Sequence, residues 1–402
     1  MFQTLRVFPR LSMRPLAFLI TLAGSACAQA DANPYYIGVR QEFVRESNVF
    51  RTAARLGDTM SSTGLLAGID QPFGRQRFYA DMSLLANRYQ NYSELNNFSH
   101  SETAGLDWSS MERLSGTLHY LSRQDLADFG LTSGSTAKNM QHTQQASASA
   151  RYGLATRLGL EGSVEHSRVD FSNNAFNTGE FSQNAASLGL RWGASGLLTL
   201  GAGLRATHGE YPHYKDPFDP LAPETPDRMR RRDLDLTAVW SPTGLSTFNA
   251  RASSTRETHS QVSRPGFSGL TGALGWDYRL TGKLTIKTQL TRDTGSEATF
   301  LTVAPGSLPQ RSDNNRLTTL AELGASYEAT AKIGLTANLR RTHGSIASTS
   351  GASLGDSTSS VSFGAKYQPT RSISLGCNAG REHHVNVYNA YTAGCAAQLT
   401  LK

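Results

Sequence analysis

Apolar and polar residues alternate along most of the chain with a period of two. In residues 186–192 the even positions are apolar and the odd positions are small or charged, and residues 198–206 and 234–240 repeat the pattern. Because successive side chains of a strand point to opposite faces, this pattern predicts strands with one apolar and one polar face. No segment has a convincing helical period, and no apolar run reaches the roughly 20 residues of a membrane-spanning helix.

An aromatic residue recurs at the end of a predicted strand, on the apolar face and directly before a short turn. The seven aromatic positions are Trp108, Tyr152, Trp192, Trp240, Tyr278, Tyr327 and Tyr367. Each repeat is long enough for one hairpin of two long strands plus a longer loop. The repeat therefore predicts tight turns, such as 193–196, that alternate with long loops, such as 47–60, 209–228, 294–314 and 344–356.

Long half-apolar strands with alternating turn lengths are typical of a barrel that crosses a membrane. In lipid every strand edge must be paired, so the sheet has to close. We therefore predict an all-β fold, a transmembrane antiparallel β-barrel of about 18 strands (16–18), with short periplasmic turns, long extracellular loops and an aromatic girdle. A soluble propeller or solenoid has repeats of similar length, but a propeller blade needs four short strands per repeat.

The first 30 residues have the composition of a secretory signal peptide. A basic start is followed by a short apolar core at residues 15–24 and by a small-x-small cleavage site at residues 28–30. We therefore divide the chain into a signal peptide, residues 1–30, and a single outer-membrane β-barrel domain, residues 31–402.

Charge excludes some classes of partner. The 402 residues carry a formal net charge of +7, and about +4 remains without Arg6, Arg10 and Arg14 of the predicted signal peptide. No block of Lys and Arg elsewhere is long enough to suggest nucleic acid. We expect outer-membrane lipid and lipopolysaccharide as partners, and no metal or other cofactor.

The polar face of the predicted strands is expected to line a hydrated lumen. The charged residues on this face are Arg40, Asp81, Arg191, Arg205, Asp233, Asp235, Arg251, Lys287, Glu322, Arg340 and Lys366. Seven are basic and four are acidic, so a mild preference for anionic solutes is a weak expectation.

Two cysteines remain after the predicted signal peptide. If the last hairpin turns around Val387, Cys377 and Cys395 face each other on adjacent strands, and a disulfide is possible. The alternative is two small apolar residues on the lipid face. Cys27 raises the question of a lipoprotein, but Gly24 stands where a lipoprotein signal prefers Leu.

Residues 209–228 form a proline-rich predicted loop, and a cluster of arginines follows it. The alternation points Arg230 and Arg232 outward, at the phosphate level of the outer leaflet. We therefore predict a lipopolysaccharide contact at these two residues. A basic rim exposed to water is the alternative.

No constellation of residues points to catalysis. His383 and His384 lie in a predicted loop, and His259 lies near Glu257, but their spacing does not favour a metal site or a hydrolase over polar loops. Walker, dinucleotide and zinc motifs are absent from the sequence. We assign no catalytic residue and no metal ligand, and expect no enzyme activity.

Several short motifs resemble the outer-membrane β-barrel proteins of bacterial exopolysaccharide synthesis, the EpsL type. They lie at residues 36–43 and 45–51, at the turn 367–370 and at the end, residues 394–401. The resemblance implies a role beside a polysaccharide polymerase and its export proteins, and it carries over no catalytic residue. One departure is the final residue, Lys402, since many outer-membrane barrels end in Phe or Trp.

Three functions follow as hypotheses. The first is exopolysaccharide export, in which the barrel is the conduit or a scaffold of the secretion complex. The alternative is a general porin or small-solute channel, which has the same fold. A hydrolase on the barrel rim is the third and least supported.

Overall fold

The computed structural model describes residues 33–110, 113–129, 136–154, 157–216, 223–264, 266–294, 316–346, 355–385 and 387–402. The predicted signal peptide, residues 1–30, lies outside the described residues. No helix in the described part of the chain is long and apolar enough to cross a membrane.

The described residues form 18 antiparallel strands. They are β1 (Tyr35–Glu46), β2 (Asp58–Phe73), β3 (Gln76–Tyr89), β4 (Asn97–Ser110), β5 (Leu114–Leu126), β6 (Met140–Gly153), β7 (Leu158–Phe171), β8 (Phe181–Gly193), β9 (Leu198–Tyr214), β10 (Thr225–Thr243), β11 (Ser246–His259), β12 (Phe267–Arg279), β13 (Leu284–Thr294), β14 (Arg316–Glu328), β15 (Ile333–Ile346), β16 (Gly355–Tyr367), β17 (Ile373–His384) and β18 (Tyr388–Leu401). Short 3₁₀ turns at Ser93–Leu95 and Asn174–Gly179 lie in connections.

The sheet closes on itself. Each strand pairs with its neighbours in sequence, and β1 also pairs with β18, so that Ile37 lies opposite Leu401 and Glu46 opposite Thr392. Closure leaves no strand edge unpaired. The prediction of an all-β, antiparallel barrel of about 18 strands is confirmed.

The outer face is apolar over a broad belt. On β1 the apolar side chains of Ile37 and Phe43 are exposed, whereas Arg40 and Glu42 are buried inside. The same outward pattern continues around the barrel at Leu65, Val164, Leu188, Leu204, Leu234, Leu270, Leu290, Leu339 and Phe363. A closed antiparallel barrel with an apolar outer belt has the architecture of a bacterial outer-membrane protein.

The two ends of the barrel differ in their connections. At one end, here called the short-turn end, the connections are short: 74–75, 111–113, 154–157, 194–197, 244–245, 280–283, 329–332 and 368–372. At the other, the long-loop end, they include 47–57, 127–139 and 215–224. The start of β1 and the end of β18 both lie at the short-turn end.

The connection between β9 and β10 is shorter than the predicted loop 209–228. β9 continues to Tyr214, and β10 begins at Thr225. The rings of Tyr211 and Tyr214 are buried inside the barrel beside Met229, so the sheet continues beyond the apolar belt. The loop prediction is therefore wrong for residues 209–214 and 225–228, half of this segment.

Connections at the long-loop end also vary more than predicted. Only residues 385–387 join β17 to β18, so His383 and His384, which were predicted in a loop, end a strand instead. Tyr388 lies opposite His384 and continues the pairing to the turn. The centres of the predicted loops 294–314 and 344–356 lie outside the described residues.

Candidate channel lumen and its constriction

The inward-facing wall carries the charged residues. The alternation of each strand places all eleven predicted lumen residues on inward-facing positions: Arg40, Asp81, Arg191, Arg205, Asp233, Asp235, Arg251, Lys287, Glu322, Arg340 and Lys366. Each alternates with side chains of the outer face, as the pleat of a strand requires.

Acidic side chains neutralise most of the predicted basic residues. The pairs are Arg40–Glu42 (2.8 Å), Arg191–Glu161 (3.7 Å), Arg205–Asp235 (3.3 Å), Arg251–Asp293 (2.9 Å), Lys287–Asp277 (3.9 Å) and Arg340–Glu322 (3.4 Å). Among the described residues Lys366 has no such partner. Because six of the seven predicted basic residues have an acidic partner, the excess of basic residues on the wall gives little support for anion preference.

Charged pairs near the short-turn end are open to water. The side chains of Lys287 and Asp277 are 47% and 48% exposed, and those of Arg151 and Glu161 are 49% and 47% exposed. Exposed pairs of this kind are worth little to stability, about 0–1 kcal/mol. The lumen is therefore hydrated at this end.

A buried charge cluster lies at the long-loop end, beyond the apolar belt. The guanidinium of Arg51 lies 2.7 Å from the carboxylate of Glu46, 3.3 Å from that of Asp128 and 3.6 Å from that of Glu382. The hydroxyl of Tyr388 donates a hydrogen bond of 2.5 Å to Glu382. We call these five residues the Arg51 cluster. Its arginine is 3% exposed, so bulk water screens these charges only weakly.

The Arg51 cluster joins distant parts of the wall. Glu46 ends β1, Asp128 follows β5, and Glu382 lies on β17, and five strands separate β17 from β5 around the barrel. Contacts between these positions must therefore extend inward from the wall. Segment 47–57, which supplies Arg51, folds into the mouth of the barrel and narrows it.

The backbone of this segment is strained at Arg51. Its φ is 51°, in the left-handed region that side chains rarely adopt. Asn48 holds the turn, because its Nδ2 donates to the carbonyls of Thr52 (2.7 Å) and Asn389 (3.2 Å). Strain of this kind persists only where surrounding contacts fix it, and it is concentrated at functional sites.

An apolar core packs against segment 47–57 inside the barrel. Phe50 is 2% exposed, and its ring lies 4.8 Å from that of Tyr92 and 4.9 Å from that of Phe129. Burial of one such aromatic side chain contributes about 1.5–3 kcal/mol. The constriction is therefore a packed element rather than a loose loop.

A second buried network lies on β9, β10, β11 and β13. The fully buried Arg231 contacts Asp233 at 2.9 Å and Asp293 at 2.8 Å. Asp293 also pairs with Arg251, and Asp233 with Arg205. This ladder of alternating charges stiffens the wall at the long-loop end.

Beside this network, aromatic and charged side chains pack together at the long-loop end of β9–β11. The guanidinium of Arg264 lies 3.8 Å from the ring centre of Tyr211, and its Nη1 donates to Asp227 (3.0 Å). Nδ1 of His259 lies 2.7 Å from Asp227, and Nε2 lies 3.2 Å from Glu257. Because both nitrogens of His259 contact carboxylates, neither is placed to accept a proton from a nucleophile.

Burial changes the protonation of the Arg51 cluster. Burial, together with the charges of Asp128 and Glu382, raises the pKa of Glu46 to about 7, although Arg51 acts in the opposite direction. Three carboxylates surround one guanidinium here, so proton uptake by one of them relieves their repulsion. The charge of the mouth therefore changes near neutral pH.

The predicted girdle residues lie on the outer face near the short-turn end. They are Trp108, Tyr152, Trp192, Trp240, Tyr278, Tyr327 and Tyr367. Phe248 and Trp276, which are not among the seven predicted positions, stack between Trp240 and Tyr278 at ring distances of 5.2–5.7 Å. Aromatic rings at this position are typical of a membrane interface.

The last hairpin has the predicted register. Cys377 lies directly opposite Cys395 on the outer face, with Cα atoms 4.0 Å apart, and the two form a disulfide. Arg230 and Arg232 also point outward, at the long-loop end. Arg232 lies opposite Arg256 on the next strand.

The residues of the constriction are those that the sequence analysis missed. Arg51, Asp128 and Tyr388 lie in or beside connections, where alternation gives no orientation. Arg231 could have been predicted to face the lumen, because it lies two residues before Asp233 and therefore points to the same face of β10 as Asp233 and Asp235. Within the described residues, no group of three or more His, Cys, Asp or Glu side chains could hold a metal ion.

Comparison with known proteins finds solved structures whose architecture is similar to that of this chain. OpdL of Pseudomonas aeruginosa matches with 11% identity and a TM-score of 0.46, over 92% of this chain and 98% of its own. OccK2 (OpdF) of the same organism matches with 12% identity and a TM-score of 0.46 over the same shares. The FrpB iron transporter of Neisseria meningitidis matches with 8% identity and a TM-score of 0.47, over 88% of this chain and 62% of its own.

At these identities and scores the likeness transfers no substrate to this chain. No protein-family model and no curated protein matches the sequence. The resemblance to the EpsL type therefore gains no support.

Proposed function

We propose that the protein is an outer-membrane channel for small solutes, with a fixed constriction at its extracellular mouth. The short-turn end would face the periplasm and the long-loop end the outside, as in other outer-membrane barrels. The observation that carries this proposal is the contrast between open charged pairs at one end and the buried Arg51 cluster at the other. The proposal includes no catalytic step and no cofactor.

A conduit for exopolysaccharide is less well supported. A polymer strand needs a continuous wide path, whereas segment 47–57 occupies part of the mouth. A scaffold role beside export proteins does not need such a path. Polysaccharide and export proteins therefore stay proposed partners, but they are less favoured than small solutes. Normal secreted polymer in a gene-deletion strain would refute the export role in either form.

Conductance in planar bilayers tests the channel proposal. The purified barrel should form stable, ohmic single channels without any partner protein, and liposomes that contain it should swell in small sugars but not in large ones. Insertion without measurable conductance would contradict the proposal and favour the scaffold role.

We also propose that Arg230 and Arg232 contact lipopolysaccharide phosphates. Arg232 and Arg256 lie directly opposite each other on the outer face, and like charges in this position repel. A phosphate between them would relieve the repulsion through charge-assisted hydrogen bonds. Arg230→Gln/Arg232→Gln should weaken binding of the barrel to lipopolysaccharide vesicles, and unchanged binding would favour a rim that contacts only water.

A further inference from the structure

A groove of about 780 Å³ crosses the outer face of β13–β17. Leu290, Leu323, Leu339 and Val361 line it, and Leu339 lies directly between Leu323 and Val361 in the register. The volume falls in the range of small-ligand sites, about 300–1,000 Å³. Because these positions belong to the apolar belt, the groove opens toward the hydrocarbon of a membrane.

Two exposed arginines lie at the long-loop end of this groove. Arg341 is the next outward position after Leu339, and Arg381 lies opposite Val361. Nη2 of Arg381 donates to Oδ1 of Asn389 (3.4 Å), and its guanidinium lies 5.4 Å from the ring centre of Tyr391. No carboxylate of the described residues forms an ion pair with either arginine.

The surroundings of these arginines favour an external anion. Among the described residues, the outward positions of β13–β17 include no Asp or Glu. The two arginines lie two strands apart and are offset by two residues along the strands, which places their Cα atoms roughly 12 Å apart at the usual strand spacing and rise. A cation at the edge of a hydrocarbon layer needs a counter-charge, and guanidinium groups bind phosphate with paired hydrogen bonds.

We propose that this groove binds a phosphorylated lipid of the outer leaflet, lipopolysaccharide. An acyl chain lies along Leu323, Leu339 and Val361, and a headgroup phosphate contacts Arg341 and Arg381. The inference rests on the proposed insertion into the outer membrane. It goes beyond the Arg230–Arg232 contact, because the groove adds an acyl-chain site to the phosphate site.

Native mass spectrometry of the full mature barrel in detergent tests this inference, with purified bisphosphorylated lipid A as the probe. In a barrel that already carries Arg230→Gln/Arg232→Gln, and so lacks the other proposed phosphate contact, the lipid-bound fraction should fall about tenfold when Arg341→Gln/Arg381→Gln is added. The matched control is Arg45→Gln/Arg88→Gln, which removes two exposed outward arginines of β1 and β3 and should bind like the unchanged protein. Lipid A without its phosphates should bind as weakly as the first variant does.

A second variant tests the acyl-chain part of the site. Val361→Trp fills the groove with an apolar ring at a lipid-facing position, so it should reduce lipid A binding while the barrel stays folded. Equal binding by the control and by Arg341→Gln/Arg381→Gln, or by lipid A with and without phosphates, would overturn the proposal. Single-channel conductance of the same samples tests the channel proposal separately. If the barrel conducts ions but binds lipid A equally well with and without phosphates, the lipid site in the groove is contradicted and the channel proposal is not.

Discussion

The two ends of the lumen contain the same kinds of charged pair in opposite environments. At the short-turn end Arg77 and Asp70 are 42% and 54% exposed, whereas at the long-loop end Arg51 and Glu46 are 3% and 2% exposed. The difference does not come from the strands, which alternate in the same way along their length. It comes from a connection that folds inward and brings its own apolar side chains.

The two ends therefore differ in how they control passage through the barrel. Exposed pairs shape the field in a wide, wet lumen, and each can be lost without consequence for the fold. A buried arginine with three carboxylates is different, because removal of either sign leaves uncompensated charge away from water. The long-loop end is therefore both the narrow part and the sensitive part of the molecule.

The largest effect is expected for Arg51→Ala. Glu46, Asp128 and Glu382 would remain buried without a cation, which costs about 3–5 kcal/mol for a buried ion pair. Segment 47–57 should leave the mouth, and single-channel conductance should rise several-fold. Arg77→Ala is the matched control at the short-turn end, with an expected change of about 0–1 kcal/mol and similar conductance. Equal effects of the two substitutions would contradict the difference between the ends.

Arg231→Met should have a smaller effect at the same end. Asp293 and Asp233 would each lose a partner but would keep Arg251 and Arg205. A loss of about 1–3 kcal/mol is expected from the buried groups left partly unpaired. Denaturant unfolding of the detergent-solubilised barrel measures this loss of unfolding free energy. A loss as large as that of Arg51→Ala would show that Arg251 and Arg205 do not compensate for the missing Arg231.

A change of pH should alter the mouth without any substitution. The pKa of Glu46 is raised from 4.5 to about 7, so the folded state favours its protonated form. Its contribution to stability is therefore present below pH 4.5 and is lost as the pH rises through 7. Over the same window ionisation adds negative charge, and cation selectivity in a salt gradient should increase. In Glu46→Gln this component should be missing; an unchanged selectivity profile would refute the assignment to Glu46.

The smallest effect on the channel is expected for the cysteines. Cys377 and Cys395 lie on the outer face between the two ends, so Cys377→Ser/Cys395→Ser should leave conductance unchanged. The crosslink itself closes a short loop and should contribute up to about 3 kcal/mol to stability. Peptide mapping of the exported protein with and without reductant measures the bond, and free thiols at both positions would contradict it.

The alternation of apolar and polar residues predicted the strands but not the contacts at the mouth. This alternation alone predicted that Arg205 points inward and Leu204 outward, and the symmetry of the last hairpin predicted its register. The partners of Arg51 could not be predicted, because they come from three separate parts of the chain and meet only when the sheet has closed. The proline-rich segment 209–228 was predicted to be a loop, but Tyr211 and Tyr214 extend β9 and their rings are buried inside the barrel.

The most direct test of the asymmetry is polymer exclusion from the two sides of a planar bilayer. Neutral polyethylene glycols of increasing size are added to one side at a time, and the reduction in single-channel conductance reports whether they enter. We predict that intermediate sizes enter from the short-turn end and are excluded at the long-loop end, and that Arg51→Ala removes this difference. Equal size limits from both sides in the unchanged protein would contradict a constriction at the long-loop end.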